Sequence, residues 1–173
     1  MGQSQALTIA DIPIAPSVKQ SNQKTLVLNG VGIRKKFFFK VYVASLYLPQ
    51  KRTTRADILK QDEGRQIILN FIYSKVSKKK IIGAWNEGFN DNLSNQQKQT
   101  LASKIKQFNQ MFGDLLAGNK VILDYQPNIG TQVTINGQKK GTIKGKAFSD
   151  ALLKIWIGQN PASDDLKDGL LGH

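Results

Sequence analysis

Residues 1–23 lack regular alternation of apolar and polar positions, contain Pro13 and Pro16, and read as an extended lead-in without a helix. From Lys24 the pattern changes. Thr25-Leu26-Val27-Leu28 and Val31-Gly32-Ile33, then Phe37 to Leu48, are rich in β-branched and aromatic residues and predict two long strands forming a hairpin. Lys35-Lys36 is the most polar point between them. In the second strand Phe37, Phe39, Val41 and Val43 alternate with Phe38, Lys40, Tyr42, Ala44 and Leu46, so neither face is simply polar. Such a strand is expected to be covered on both sides, with Phe37, Phe38, Phe39 and Tyr47 in the core.

Farther along, Thr53-Thr54 opens a short helix through Lys60, and Gln66 to Ile72 reads as another strand. Ile81, Trp85, Phe89 and Leu93 recur every four residues, and Leu101, Ile105, Phe108 and Phe112 keep helical spacing. These are two amphipathic helices whose stripes are expected on the sheet. A β-meander follows in Lys120–Tyr125, Thr131–Ile135 and Lys140–Ile143, with turns at Pro127-Asn128 and Asn136-Gly137. The last elements are a helix carrying Phe148, Leu152, Ile155 and Trp156, ended by Gly158, and a short helix begun at Ser163-Asp164-Asp165. Grouped strands and helices predict an antiparallel α+β layer arrangement rather than a parallel βαβ fold.

Composition narrows the chemistry. With 173 residues, 40% of them hydrophobic, the chain is expected to be the lead-in plus one domain over 24–173. There is no cysteine, hence no disulfide, thiol nucleophile or thiolate metal site. The only histidine is His173, so a Ser-His-Asp triad and a histidine-based zinc site lack their central group. No metal and no cofactor is implied. No apolar stretch reaches the ~18 residues of a membrane span. The polar residues Met1 to Ala6 lack the basic-then-apolar pattern of a secretory signal, leaving a cytoplasmic protein or one whose signal has been removed.

The net charge of +13 is the unusual quantity, and it points to anionic partners. Residues 31–80 hold 13 Lys and Arg against Asp57, Asp62 and Glu63. No RNP, helix-turn-helix or zinc-finger pattern accompanies them, so nucleic acid is disfavoured and a solvated basic surface, or attraction to an anionic membrane, is the simpler reading. Within this stretch Ser77-Lys78-Lys79-Lys80 puts a serine cap and three cations in a first helical turn, against the helix dipole. Either an anion binds at Ser77, Lys78 and Lys79, or the lysines extend into water. Gly30-Val31-Gly32 lacks the third glycine and the following helix of a dinucleotide motif. Asn92-Leu93-Ser94 is a formal glycosylation sequon.

Leu28-Asn29-Gly30-Val31-Gly32-Ile33-Arg34 and Lys40 to Leu48 resemble the N-terminal signature of the chalcone isomerase superfamily, a G-x-G-x-R strand followed by a strand ending in Tyr-Leu. Ala147 to Gly158 and Asp165-Leu166-Lys167 resemble its closing helices. The resemblance covers roughly residues 24 to 172 and is strongest to bacterial chalcone-isomerase-like proteins, which usually carry secretion signals. It implies an open-faced β-sandwich, a large antiparallel sheet backed by a layer of helices with a ligand cleft between them, and a periplasmic or secreted location.

In the plant enzymes of that family the signature arginine stabilises an oxyanion, while threonine and tyrosine position a water. Arg34 matches the arginine. Tyr42 stands where the enzyme has a threonine, Ser77 and Ala84 where it has a tyrosine and an asparagine, and Ile155 where it has a late threonine. Without the positioned water the proton transfers lose their agents. The fatty-acid-binding branch instead holds a carboxylate with an arginine and a tyrosine, which Arg34 and Tyr42 resemble. The resemblance thus implies a non-catalytic protein binding a small amphipathic anion such as a fatty acid, with Arg34 as anchor and Tyr42 as helper. The alternatives are a chalcone isomerase-type intramolecular lyase relying on Arg34, and a basic interaction module for anionic membrane or nucleic acid.

Overall fold

Three short strands form within the lead-in, where isolated apolar residues alternate with prolines: β1 (Leu7–Ile9), β2 (Ile12–Ile14) and β3 (Ser17–Lys19). These come from a computed structural model that describes residues 7–173, so the first six residues of the lead-in lie outside the described residues. β1 and β2 make a separate hairpin, whereas β3 pairs with the first long strand and so belongs to the main sheet. The long elements then follow in the expected order: β4 (Thr25–Lys36), β5 (Phe39–Leu48), α1 (Arg55–Lys60) and β6 (Arg65–Phe71). After a two-residue strand β7 (Lys75–Val76) come α2 (Lys78–Asn92) and α3 (Asn95–Asn109). Another two-residue strand, β8 (Leu115–Leu116), precedes the meander β9 (Lys120–Gln126), β10 (Gly130–Ile135) and β11 (Gln138–Ile143), and α4 (Lys146–Ile157) and α5 (Asp164–Leu170) complete the fold.

Seven strands form one antiparallel sheet in the order β11-β10-β9-β6-β5-β4-β3. Its two faces are covered differently. Tyr42, Ala44, Leu46 and Leu48 of β5, with Ile67, Leu69 and Phe71 of β6, face the helices and join the core. The intervening Val43, Ser45 and Tyr47 are also buried, on the side taken by the lead-in, where the Tyr47 hydroxyl donates to the Ala15 carbonyl at 2.8 Å. The buried Asp124 carboxylate on that same side accepts amide hydrogens from Gln20 and Gln66 at 2.9 and 2.8 Å, fastening the lead-in to β6 and β9. A buried carboxylate needs such donors, because leaving its oxygens unpaired costs several kcal/mol.

The helices are not one flat layer. Phe148, Ala151, Leu152, Leu153, Ile155, Trp156 and Ile157 make α4 apolar around nearly its whole circumference, the pattern of a helix enclosed on all sides. Contrary to the expectation that both amphipathic stripes meet the sheet, that of α2 packs chiefly on α4: Trp85 lies edge-on to Trp156 at 5.7 Å and Phe89 meets Phe148 at 6.2 Å. Phe108 of α3 adds to the cluster, 5.6 Å from Phe148. Asn92, the sequon residue, fastens the helix ends, donating to the carbonyls of Gly88 and Asn160.

The β4–β5 turn also differs from expectation. It falls at Phe37-Phe38, two residues beyond Lys35-Lys36, with Lys36 paired to Phe39 and Lys35 to Lys40. Phe37, Phe38 and Phe39 therefore leave the core altogether, at 85%, 99% and 55% exposure, while Tyr47 stays inside. The register decides this. Tyr42 must face the helices, and a hairpin tight enough to pair Lys36 with Phe39 leaves only Phe37 and Phe38 to turn.

Candidate functional site

Gly30, Gly32 and Arg34 alternate on the helix-facing side of β4, opposite Leu46, Ala44 and Tyr42 respectively. The glycines are required by α5. A Cβ at Gly30 would stand 2.1 Å from the Gly169 carbonyl oxygen, and one at Gly32 would stand 2.9 Å from a Leu166 methyl. Helix and strand thus meet almost backbone to backbone, a close approach only glycine permits. Asn29, at the irregularity between Leu28 and Gly30, donates to the Leu170 carbonyl at 2.8 Å and accepts from the Arg52 amide at 2.7 Å. Arg34 lies one step beyond this covered stretch, half-buried.

Arg34 and Tyr42 are direct cross-strand partners, so the register brings the two side chains together at one edge of the helix layer. The Arg34 guanidinium donates to the Lys35 carbonyl at 2.7 Å and pairs with no carboxylate among the described residues. Tyr42 is 4% exposed, lies 5.2 Å from the Phe71 ring, and accepts a hydrogen bond from Trp156 Nε1 at 2.9 Å. Burial pushes its hydroxyl up to about 12, against the opposing pull of the Trp156 bond and the Arg34 charge. The phenol stays protonated. The Trp156 N–H occupies only the acceptor side of the Tyr42 oxygen, so the phenol hydrogen remains free for a further partner.

The other enzyme positions do not rebuild a water site. Ala84 is exposed on α2 and Ile155 is buried against Gly88. The interior behind Tyr42 is filled by Trp156, Trp85, Phe108 and Phe112, with successive ring centroids about 5–6 Å apart. The expected cleft is therefore closed by aromatic side chains in this conformation. An open groove of about 510 Å³ lies elsewhere, between α2 and α3, and includes Lys78, Ile82, Phe89 and Ile105.

The second candidate needs correcting. Ser77 caps α2, accepting from the Lys80 amide, but the Lys78 amide donates to Asp114 Oδ1 at 2.7 Å. Lys75 lies 3.6 Å from the same carboxylate. Of the two readings of Ser77, Lys78 and Lys79, an anion at the helix start or lysines extending into water, the anion's place at the Lys78 amide is taken by the chain's own Asp114. These contacts, the Lys78 amide first, hold the Asp114 carboxyl below its usual range. Lys79 and Lys80 extend into water.

One arginine escaped notice in the sequence. Arg65 is 2% exposed at the start of β6, where it donates to Ser149 Oγ at 3.0 Å, Asp150 at 2.7 Å and the carbonyls of Ile58 and Gln61. Its guanidinium lies 5.4 Å from the Tyr125 ring centre. Burial, followed by the hydrogen bond to Asp62, raises the Tyr125 hydroxyl. No local sequence signal marks Arg65, because an arginine beginning a strand ordinarily faces water.

The glycines beneath α5, the arginine beyond them and the seven-stranded sheet coincide with a match of residues 6–172 to the chalcone isomerase-like family model. The chain belongs to the chalcone isomerase-like family. No curated protein sequence matches it. Among solved structures this chalcone isomerase-like chain is similar to an Arabidopsis thaliana fatty-acid binding protein, with 17% identity and a TM-score of 0.74, over 96% of this chain and 95% of that one. At that identity the likeness establishes the fold.

Proposed function

We propose that this chalcone isomerase-like protein is a non-catalytic binder of a small amphipathic carboxylate, of which a fatty acid is the simplest example. The carrying observation is the Arg34–Tyr42 pair: a half-buried cation without a carboxylate partner among the described residues stands across from a protonated tyrosine with a free O–H. Together they offer charge-assisted donors to one carboxylate. The similarity to a fatty-acid binding protein supports the same reading. The acyl chain belongs in the aromatic interior, entering by displacement of Trp156 from Tyr42. A chalcone isomerase-type lyase is less well supported, since apolar or outward-turned residues stand where a water would be positioned. A periplasmic or secreted location forms part of the proposal.

Native mass spectrometry of the protein after expression, followed by fatty-acid titration of wild type and Arg34→Gln, tests this directly. Loss of the charged contact should weaken binding about tenfold or more. Equal affinity in the two proteins would remove Arg34 from the site, and conversion of chalcone above background would restore the lyase reading.

A further inference from the structure

The β4–β5 turn is a second unexplained feature, separate from the Arg34 site. A two-residue hairpin turn ordinarily carries Gly, Asn or Asp, yet here it is Phe37-Phe38, with Phe37 held at φ 57°. For a bulky aromatic residue that left-handed conformation is unfavourable. Phe37 and Phe38 project almost wholly into solvent, and Phe39 beside them packs edge-on against the exposed Tyr73 at 5.5 Å. Neither the core nor the carboxylate site uses the apex.

Cations stand directly behind these rings. Lys35 and Lys40 face each other across the hairpin and Lys36 faces Phe39, although like charges in direct register repel. No acidic residue occurs between Asp11 and Asp57, so nothing within the hairpin offsets that repulsion. Asp114, just before β8, is already engaged by the Lys78 amide and Lys75. At about 3.3 Å per residue the backbone positions of these lysines lie within ~10 Å of the apex. That matches the depth to which amphipathic elements sink their apolar part beneath lipid headgroups.

We infer that the β4–β5 hairpin is a membrane-docking tip, with Phe37, Phe38 and Phe39 entering the acyl boundary of an anionic bilayer and Lys35, Lys36 and Lys40 meeting its headgroups. Charge selects this occupant. A second copy would bring another net +13 against the same lysines. A nucleic-acid platform wants aromatics spaced between cations along a groove, whereas these three are consecutive at a convex apex.

Flotation of the full chain with phosphatidylcholine vesicles, with and without phosphatidylglycerol, is the test. The protein should float with the anionic vesicles, less so as salt is raised. Phe37→Gly/Phe38→Ser supplies residues the turn prefers, so it should leave the melting temperature unchanged or higher while lowering vesicle partitioning about tenfold or more. Fatty-acid affinity should be unaltered in that variant, which separates this inference from the Arg34 reading. A single Phe38→Trp should shift its emission to the blue on binding and be quenched by brominated acyl chains, since Trp85 and Trp156 are already buried. Failure to float with anionic vesicles at low salt, or undiminished flotation of the double variant, would overturn it. So would a dimer dispersed by the same substitutions, or hairpin-dependent binding of single-stranded oligonucleotides in place of vesicles.

Discussion

Two arginines stand on the helix-facing side of one sheet, and they are treated in opposite ways. Arg65, at the β6 end, is saturated by Ser149, Asp150 and two backbone carbonyls, with only its Nε left over, and it joins the strand to α1 and α4. Arg34, at the β4 end, has one neighbouring carbonyl and no counter-ion among the described residues. A buried cation must be paired where it stands, so Arg65 is committed to the fold. Arg34 lies where α5 no longer covers the strand, so water can satisfy its remaining donors, and under the proposed function a carboxylate would take that place. What separates the two is the number of donors still uncommitted, and only Arg34 keeps donors that a ligand could use.

Breaking the committed end should have the largest effect. Arg65→Met removes a buried partner from Asp150 and leaves the Ile58 and Gln61 carbonyls without their donor, and should cost about 4 kcal/mol in chemical denaturation. A near-neutral result would remove the contrast between the arginines. Next in size is Gly30→Ala, which forces a methyl into the Gly169 carbonyl. Thermal melts should register about 2–3 kcal/mol of overpacking there, with fatty-acid affinity altered as α5 shifts beside Arg34.

A smaller effect belongs to Tyr42. In the unfolded chain a tyrosine releases its proton near 10, whereas the folded state keeps it to about 12. The folded state therefore holds more protons in this interval, and stability should fall as pH rises from about 10 to 12. Tyr42→Phe should flatten the part of that loss due to Tyr42. The smallest effect sharpens the comparison most: Arg34→Gln should change stability by about 0.5 kcal/mol or less while abolishing most carboxylate affinity. A large destabilisation instead would class Arg34 with Arg65.

The order of the long elements and the covering of β5 on both faces were legible because period-2 and period-3.6 patterns survive in single segments, whereas the two- and three-residue strands β1, β2, β3, β7 and β8 are too short to show a period. The turn was misplaced because polarity pointed to Lys35-Lys36, whereas cross-strand register, invisible in one strand, put Phe37-Phe38 at the apex. The Arg34–Tyr42 pairing rested on the G-x-G-x-R resemblance, and its geometry required the hairpin register. Asp114 could not be read as the partner of α2 because it lies 36 residues from Lys78 and meets it only in three dimensions. Arg65 was hidden for the same reason: the side chains it hydrogen-bonds, Ser149 and Asp150, come from α4, far along the chain.

The contact between Asn29 and Leu170 joins positions 141 residues apart. During synthesis the glycine-faced stretch of β4 must therefore wait for nearly the whole domain before α5 can cover it. Native pairing here is a late, non-local event, and such contacts slow folding and leave intermediate surfaces open to misassociation. For this chain the vulnerable interval is the time between emergence of the first long strand and arrival of the helix that seats on its glycines.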